Sequence, residues 1–189
     1  MSTLRAVRRL RPDPIPEDVL ERIFTAATWA PTGGNMQPWR LIAVRDPAKK
    51  QILEDLYRPY WDTYVATYRN KMLTMPADAQ RKSERTLAAG DHLAQHLHAV
   101  PVIAVFCFNP GIMTITDKDQ PRTSVVGGGS VYPAVQNLLL ACRNEGLGCV
   151  LTTLLCLEEP KVRALLQLPE GWYTCAHVPI GYAVAGGHG

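Results

Sequence analysis

The most informative stretch of this sequence is Ala30-Pro31-Thr32-Gly33-Gly34-Asn35-Met36-Gln37-Pro38-Trp39. It lies between a helical pattern and a short apolar run that predicts a buried strand. Its two glycines allow the backbone to approach a ligand closely, and Thr32, Asn35 and Gln37 supply a hydroxyl and two amides. These uncharged groups can hydrogen-bond the polar edge of a planar ring. A polar connection that Trp39 anchors in the core would have the same composition, so both interpretations stay open here.

Outward from this loop, helical and strand patterns alternate along the chain. Ser130 is the expected N-cap of a strong helix, and the continuous apolar run at residues 99–108 predicts a central strand buried on both faces. The predicted helices lie near residues 5–10, 16–30, 47–56, 83–96, 130–146 and 158–166, and the predicted strands at residues 41–44, 99–108, 148–153 and 174–184. This interleaving predicts a layered sheet covered by helices. No repeat or long linker divides the chain, so we expect one domain over residues 1–189.

Composition and charge narrow the classes of function. With 47% apolar and 20% charged residues the chain has an ordinary globular balance, and a formal net charge of +3 is too small to indicate a nucleic-acid partner. The longest apolar run is about half as long as a membrane-spanning helix requires, and the N-terminus lacks the apolar segment of a signal peptide. The five cysteines are odd in number and form no C-x-x-C pair, which predicts reduced thiols in a cytoplasmic protein.

Two further groups of residues suggest ligand contacts. Arg5 and Arg8 would share one face of the predicted N-terminal helix, and guanidinium groups bind phosphate bidentately. A solvated basic N-terminus is the alternative interpretation. The predicted strand at residues 148–153 ends in Leu151, Thr152 and Thr153. Ligands often bind at strand ends, although the high β-propensity of threonine alone could also account for these residues.

These motifs, taken in order, resemble the nitroreductase family. Residues 5–10 are similar to its opening R-R-S-x-R motif, and residues 30–39 to its loop A-P-S-G-x-N-x-Q-P-W. Residues 130–148 resemble its long central helix and exit turn, Thr152-Thr153 matches the segment that follows, and Ile180-Gly181-Tyr182 looks like the end of its last core strand. The resemblance therefore covers nearly the whole chain.

The resemblance implies an α+β fold: a three-layer α-β-α sandwich with a central mixed or antiparallel sheet flanked by helices, assembled as a homodimer. It also implies flavin mononucleotide (FMN) in two equivalent clefts at the subunit interface. Arg5 and Arg8 would hold the phosphate. Thr32, Asn35 and Gln37 would reach the flavin of the partner subunit, and Leu151, Thr152 and Thr153 would line the edge of its ring.

The implied activity is that of an FMN-dependent oxidoreductase. NAD(P)H would reduce the flavin, and a nitroaromatic, quinone or related conjugated acceptor would then enter the same cleft, which predicts ping-pong kinetics. The flavin performs the chemistry, so no catalytic acid or base is expected. Two alternatives stay open: a deiodinase-like or flavin-cleaving member of the family, and a protein that stores flavin without turnover.

Several positions depart from the family pattern or are ambiguous. Ala6 replaces the serine of the opening motif, which removes one hydroxyl contact to phosphate, and Ala183 replaces the proline of the closing G-Y-P. Within residues 57–90, aromatic side chains recur at helical spacing and predict either ordinary packing or a lid that stacks on flat substrates. His92 and His96 lack the glutamate of an H-E-x-x-H zinc helix, so we expect no metal.

Overall fold

The computed structural model describes residues 1–184; residues 185–189, which the predicted domain includes, lie outside the described residues. Its centre is a four-stranded antiparallel sheet with the strand order β1-β2-β4-β3. The strands are β1 (Trp39–Val44), β2 (Val102–Phe108), β3 (Gly148–Cys149) and β4 (Tyr173–Gly181). The longest apolar run of the sequence thus forms a central strand, as predicted.

Within residues 1–184, five α-helices cover this sheet: α1 (Glu17–Thr28), α2 (Pro47–Met72), α3 (Ala77–His96), α4 (Tyr132–Asn144) and α5 (Glu159–Leu166). Asp46 caps α2 by accepting a hydrogen bond from the Lys49 amide, and the left-handed Gly146 follows the end of α4. No helix within residues 1–184 combines the length and apolarity that crossing a membrane requires.

The side chains of β2 alternate between two apolar cores. Ile103, Val105 and Cys107 pack in the core that α2, α3 and α5 cover, whereas Val102, Ala104 and Phe106 pack in the core that α1 and α4 cover. Two cores separated by one sheet make three layers. The predicted α+β class and the α-β-α sandwich are therefore confirmed, with a sheet that is antiparallel throughout.

The predicted N-terminal helix at residues 5–10 is wrong, because this segment runs extended along the sheet. The amide of Val7 donates to the carbonyl of Cys149 at 2.9 Å, and Leu10 forms an isolated bridge with Ala183. Val7 and Leu10 are both buried. Val7 passes so close to Gly148 that a Cβ at that glycine would lie 2.8 Å from Val7 Cγ1. Backbone pairing and apolar burial thus override the local helical pattern.

Several other predicted boundaries differ from the structure: α2 continues to Met72, beyond its predicted end at residue 56, and α3 begins at Ala77, before its predicted start at residue 83. Ser130 is not the N-cap of α4: Val131 occupies that position, and the Ser130 hydroxyl accepts a 3.2 Å hydrogen bond from the Gly33 amide. The predicted strand at residues 148–153 is shortened to β3, and only Thr152 pairs again, as an isolated bridge with His177. The last strand ends at Gly181, before the predicted limit at residue 184.

Candidate functional site

A cavity of about 440 Å³ lies between the α2–α3 helical pair and the segment that follows β3. This volume is in the range of small-molecule sites. Four of the residues predicted to bind the cofactor line it together, namely Arg8, Leu151, Thr152 and Thr153. The extended N-terminal segment places Arg8 there, and the break in pairing after β3 turns residues 150–154 toward the same space.

An aromatic row on α2 forms one wall of the cavity. The rings of Tyr57, Trp61, Tyr64 and Tyr68 follow each other at centroid distances of 6.4, 5.5 and 5.8 Å. Tyr57 and Trp61 are buried, whereas Tyr64 is 46% exposed. The row therefore begins in the core and ends at the cavity surface, so it serves both packing and the lining of the cavity.

The inner end of the cavity is polar and carries a positive charge. Arg8 is half-buried there and forms no ion pair among residues 1–184. Burial raises the pKa of Tyr57, whereas the Thr152 hydroxyl and the charge of Arg8 oppose this shift. Among the described residues that line the cavity, none is an aspartate or glutamate. This end of the cavity would therefore attract an anionic ligand, and no described carboxylate lines the cavity to repel it.

His177 lies directly beside this end and was not among the predicted site residues. Its backbone exchanges hydrogen bonds of 2.9 and 3.0 Å with Thr152, and its register partner on β2 is Val105. Directly paired residues share a face of the sheet, so the imidazole lies on the cavity side. It is completely buried, and neither ring nitrogen has a hydrogen-bond partner among the described residues. Burial lowers the pKa of His177 to about 4, opposed by the nearby backbone of Thr152.

The loop containing Thr32, Asn35 and Gln37 lies elsewhere on the same chain. None of these three residues lines the Arg8 cavity, and Gln37 borders a separate cavity of about 560 Å³ beside α1 and β1. Asn35 and Gln37 adopt left-handed backbone angles, with φ of 54° and 47°, and the Thr32 hydroxyl accepts a 3.0 Å hydrogen bond from the Gln37 amide. Such backbone angles are uncommon outside glycine and accompany a tightly defined loop.

Arg5 is also separated from Arg8. Its guanidinium donates to the carbonyls of Ser2 and Leu4 at 2.9 and 2.7 Å, and it borders a narrow cleft next to Arg143. Side chains alternate between the two sides of an extended segment. Arg5 and Arg8 are three residues apart and therefore point to opposite sides, whereas on a helix they would have shared one face. A single chain thus brings together four of the eight predicted residues.

The donors around the cavity suit FMN, the cofactor that the resemblance implies. Arg8, whose guanidinium has no ion-pair partner in the described part of the chain, can bind a phosphate, and the hydroxyls of Thr152 and Thr153 can hydrogen-bond a ring edge. Val150 and Leu154 add apolar surface for the ring itself. The set is smaller than the family pattern, because the exposed Ala6 has no hydroxyl to offer.

His92 and His96 stack on each other, with their ring centroids 4.2 Å apart. Burial and the neighbouring His96 lower the pKa of His92. Within residues 1–184 no three His, Cys, Asp or Glu side chains gather as metal ligands would. All five cysteines are free thiols.

The sequence matches the model of the Nitroreductase family over residues 3–182. It is 30% identical to the NADH dehydrogenase of Thermus thermophilus, over 97% of this chain and 85% of that protein. It is also 30% identical to the 5,6-dimethylbenzimidazole synthase of Rhodospirillum rubrum, over 94% of this chain and 77% of that protein. Among solved structures, the NADPH:FMN oxidoreductase from Vibrio harveyi complexed with NAD+ shares the fold, with a TM-score of 0.65 and 19% identity over 95% of this chain and 65% of that one.

Proposed function

The chain belongs to the nitroreductase family, and from this premise we propose that it is an FMN-dependent oxidoreductase. It uses NAD(P)H to reduce nitroaromatic, quinone or related conjugated acceptors by a ping-pong mechanism. One observation carries the proposal: Arg8 and residues 151–153, far apart in the sequence, line one cavity that contains no described carboxylate. The NADH dehydrogenase at 30% identity supports a nicotinamide as the electron donor.

The position of the Thr32–Gln37 loop supports a homodimer. This loop is outside the Arg8 cavity of its own chain, and the Met36 side chain within it is 52% exposed. Ser130 contacts the loop, and two residues close to it in the sequence also expose apolar side chains. Val125 is 70% exposed and Tyr132 is 43% exposed. Exposed apolar surface of this kind is typical of an interface. A second copy of the chain would supply the loop to each FMN site.

FMN, when bound, would supply the redox chemistry: the transfer of two electrons from a nicotinamide to the acceptor. The protein groups bind and orient. Arg8 would neutralise the phosphate, while Thr152 and Thr153 would donate hydrogen bonds to the polar ring edge and Leu151 would line that edge. The aromatic row of α2 stacks on flat acceptors and excludes water from the cavity. Thr32, Asn35 and Gln37 of the second copy would complete the ring contacts, whereas Arg5 borders a separate cleft and takes no part in this site.

Two alternatives keep the cofactor and change its use. The 5,6-dimethylbenzimidazole synthase at 30% identity favours a flavin-cleaving or otherwise divergent activity, of which a deiodinase-like reaction is another form. The loss of the motif serine at Ala6 favours a weaker site that stores flavin without turnover. A storage protein would not be reduced by a nicotinamide.

Flavin retention tests the cofactor assignment. We expect the purified protein to be yellow, and Arg8→Met to weaken FMN binding between about tenfold and a hundredfold, the range of a lost charge-assisted hydrogen bond. Arg9→Met is the matched control, because Arg9 is exposed and does not line the cavity. Equal FMN affinity in the two variants would contradict the role of Arg8.

Anaerobic titration of the FMN-loaded protein tests the activity. NADH or NADPH should bleach the flavin absorbance, and an added quinone should restore it. Initial rates at several acceptor concentrations should give parallel double-reciprocal lines. An absorbance that does not change would favour storage, and intersecting lines would exclude the ping-pong order.

A further inference from the structure

The cavity has a cationic side chain at each of its two ends. Arg8 lies at the inner end and Lys82, on α3, lines the outer part. Lys82 is exposed and forms no ion pair with any residue of the described chain 1–184. The nearest acidic residues on α3 are Glu84, which lies 3.3 Å from Arg69, and Asp78, which lies one turn before Lys82 and forms no ion pair with it within the described residues.

Arg8 and Lys82 lie near opposite ends of the aromatic row on α2. Tyr57, beside Thr152 and Arg8, marks the inner end of the aromatic row, and Tyr68 marks its outer end. Arg69 contacts Glu84, which places this end of α2 beside the part of α3 that carries Lys82. The eleven residues from Tyr57 to Tyr68 span ~16 Å at 1.5 Å per residue. If Arg8 binds the FMN phosphate, Lys82 remains available to bind a second anionic group.

We propose that Lys82 binds an anionic substituent of the electron acceptor, so that the preferred acceptors are flat aromatic carboxylates and related aromatic anions. The ring would stack against Tyr64 and Tyr68, and the carboxylate would pair with the Lys82 ammonium and accept from the Ser83 hydroxyl, which also lines the cavity. This inference rests on the proposed function, because it assigns the acceptor class of the same cavity.

Direct binding tests the inference without turnover. Calorimetry with the protein as purified compares 2-naphthoate with the neutral 2-naphthamide. Wild type should bind the carboxylate about tenfold more tightly, the effect of one charge-assisted contact. Lys82→Met should remove this preference, and Lys71→Met should retain it, because Lys71 does not line the cavity. A preference that persists in Lys82→Met, or is absent from wild type, overturns the inference.

Steady-state rates give a second readout in the FMN-loaded protein. The ratio of kcat/KM for 4-nitrobenzoate over 4-nitrobenzamide should fall about tenfold in Lys82→Met, through KM, and should fall further in Lys82→Glu. Raising the ionic strength should reduce the wild-type ratio, because exposed charges are screened. A ratio that is equal in wild type and both variants overturns the inference.

The two arms separate the inference from the function on which it rests. If the protein is yellow and reduces both acceptors equally well whether or not Lys82 is replaced, the proposed function stands and the inference about Lys82 is wrong. If the protein is colourless but binds naphthoate through Lys82, the proposed function is wrong and the role of Lys82 in anion binding stands. The substitutions lie on an exposed helical position, so folding is expected to survive them.

Discussion

The indole nitrogen of Trp61 donates a 2.7 Å hydrogen bond to Oδ1 of Asp91 and thereby joins α2 to α3 beside the cavity. The same indole packs closely against Gly90, where a Cβ would come within 2.1 Å of Cη2 and 2.2 Å of Cζ2. Trp61 is only 8% exposed. The close approach of the two helices therefore depends on a glycine in the middle of α3, a position that would otherwise favour a better helix former.

Gly90→Ala should destabilise the protein despite the higher helix propensity of alanine. The added methyl group forces the indole aside and strains its bond to Asp91, which we expect to lower the free energy of unfolding by about 1–3 kcal/mol. Gly129→Ala is the control, because a Cβ there meets nothing within 4 Å. Urea denaturation of the two variants measures the difference. If Gly90→Ala instead raised the free energy of unfolding, the result would show that α2 and α3 can move apart without a loss of stability.

Asp117 organises the connection between β2 and α4. Hydrogen bonds from the Ser124 hydroxyl and the Val125 amide, together with the Arg122 guanidinium, hold the pKa of the Asp117 carboxyl well below its usual range. Asp117→Asn weakens this set, and we expect Tm to fall by about 2–4 °C, as for the loss of one net hydrogen bond. Asp119→Asn, an exposed neighbour, should leave Tm unchanged. Equal Tm values, measured by calorimetry, would exclude the anchoring role.

The sheet and most helices were predictable, because apolar periodicity records which side of an element is buried. Residues 99–108 indicated a strand with two buried faces, and β2 has them. The N-terminal segment was not predictable, since its conformation comes from hydrogen bonds between Val7 and Cys149 and from the space left by Gly148. Those contacts join distant parts of the chain, and no local pattern carries them.

His177 should make the folded protein sensitive to acid in a defined window. Its pKa is about 4 when folded and near 6.5 when unfolded, so below pH 6.5 the unfolded state binds the extra proton and stability falls as pH falls toward 4. The expected loss between pH 7 and pH 5 is about 2 kcal/mol.

Urea titrations at the two pH values measure this loss. His177→Leu fills the same volume without a titrating group and should show little of the loss, whereas the exposed His96→Gln should behave as wild type. An identical pH dependence in wild type and His177→Leu would exclude the buried histidine as its source.

The candidate site was predictable in part. The strand-end residues 151–153 and Arg8 were identified by motif and lie together, whereas Arg5 was grouped with Arg8 through a helix that does not form. His177 was not assigned to the site, because it sits in an apolar strand pattern and looks like a core position. Lys82 lies in a polar stretch with several similar residues, and only the antiparallel packing of α2 and α3 distinguishes it.

We propose that each FMN is held by Arg8 of one subunit and the Thr32–Gln37 loop of the other. Two defective variants test it. Arg8→Asp damages the phosphate contact, and the double variant Asn35→Gly, Gln37→Gly removes both amide side chains while tolerating the left-handed backbone of the loop. Each variant alone should retain little FMN, because both of its sites carry a defect.

The decisive measurement is the FMN content of a heterodimer of these two variants, purified through two different affinity tags. If the loop acts across the interface, one site collects both defects and the other is intact, so the heterodimer should hold half the wild-type FMN per subunit. A heterodimer as colourless as its parents, or a chain that stays monomeric and colourless with excess FMN, would contradict the account.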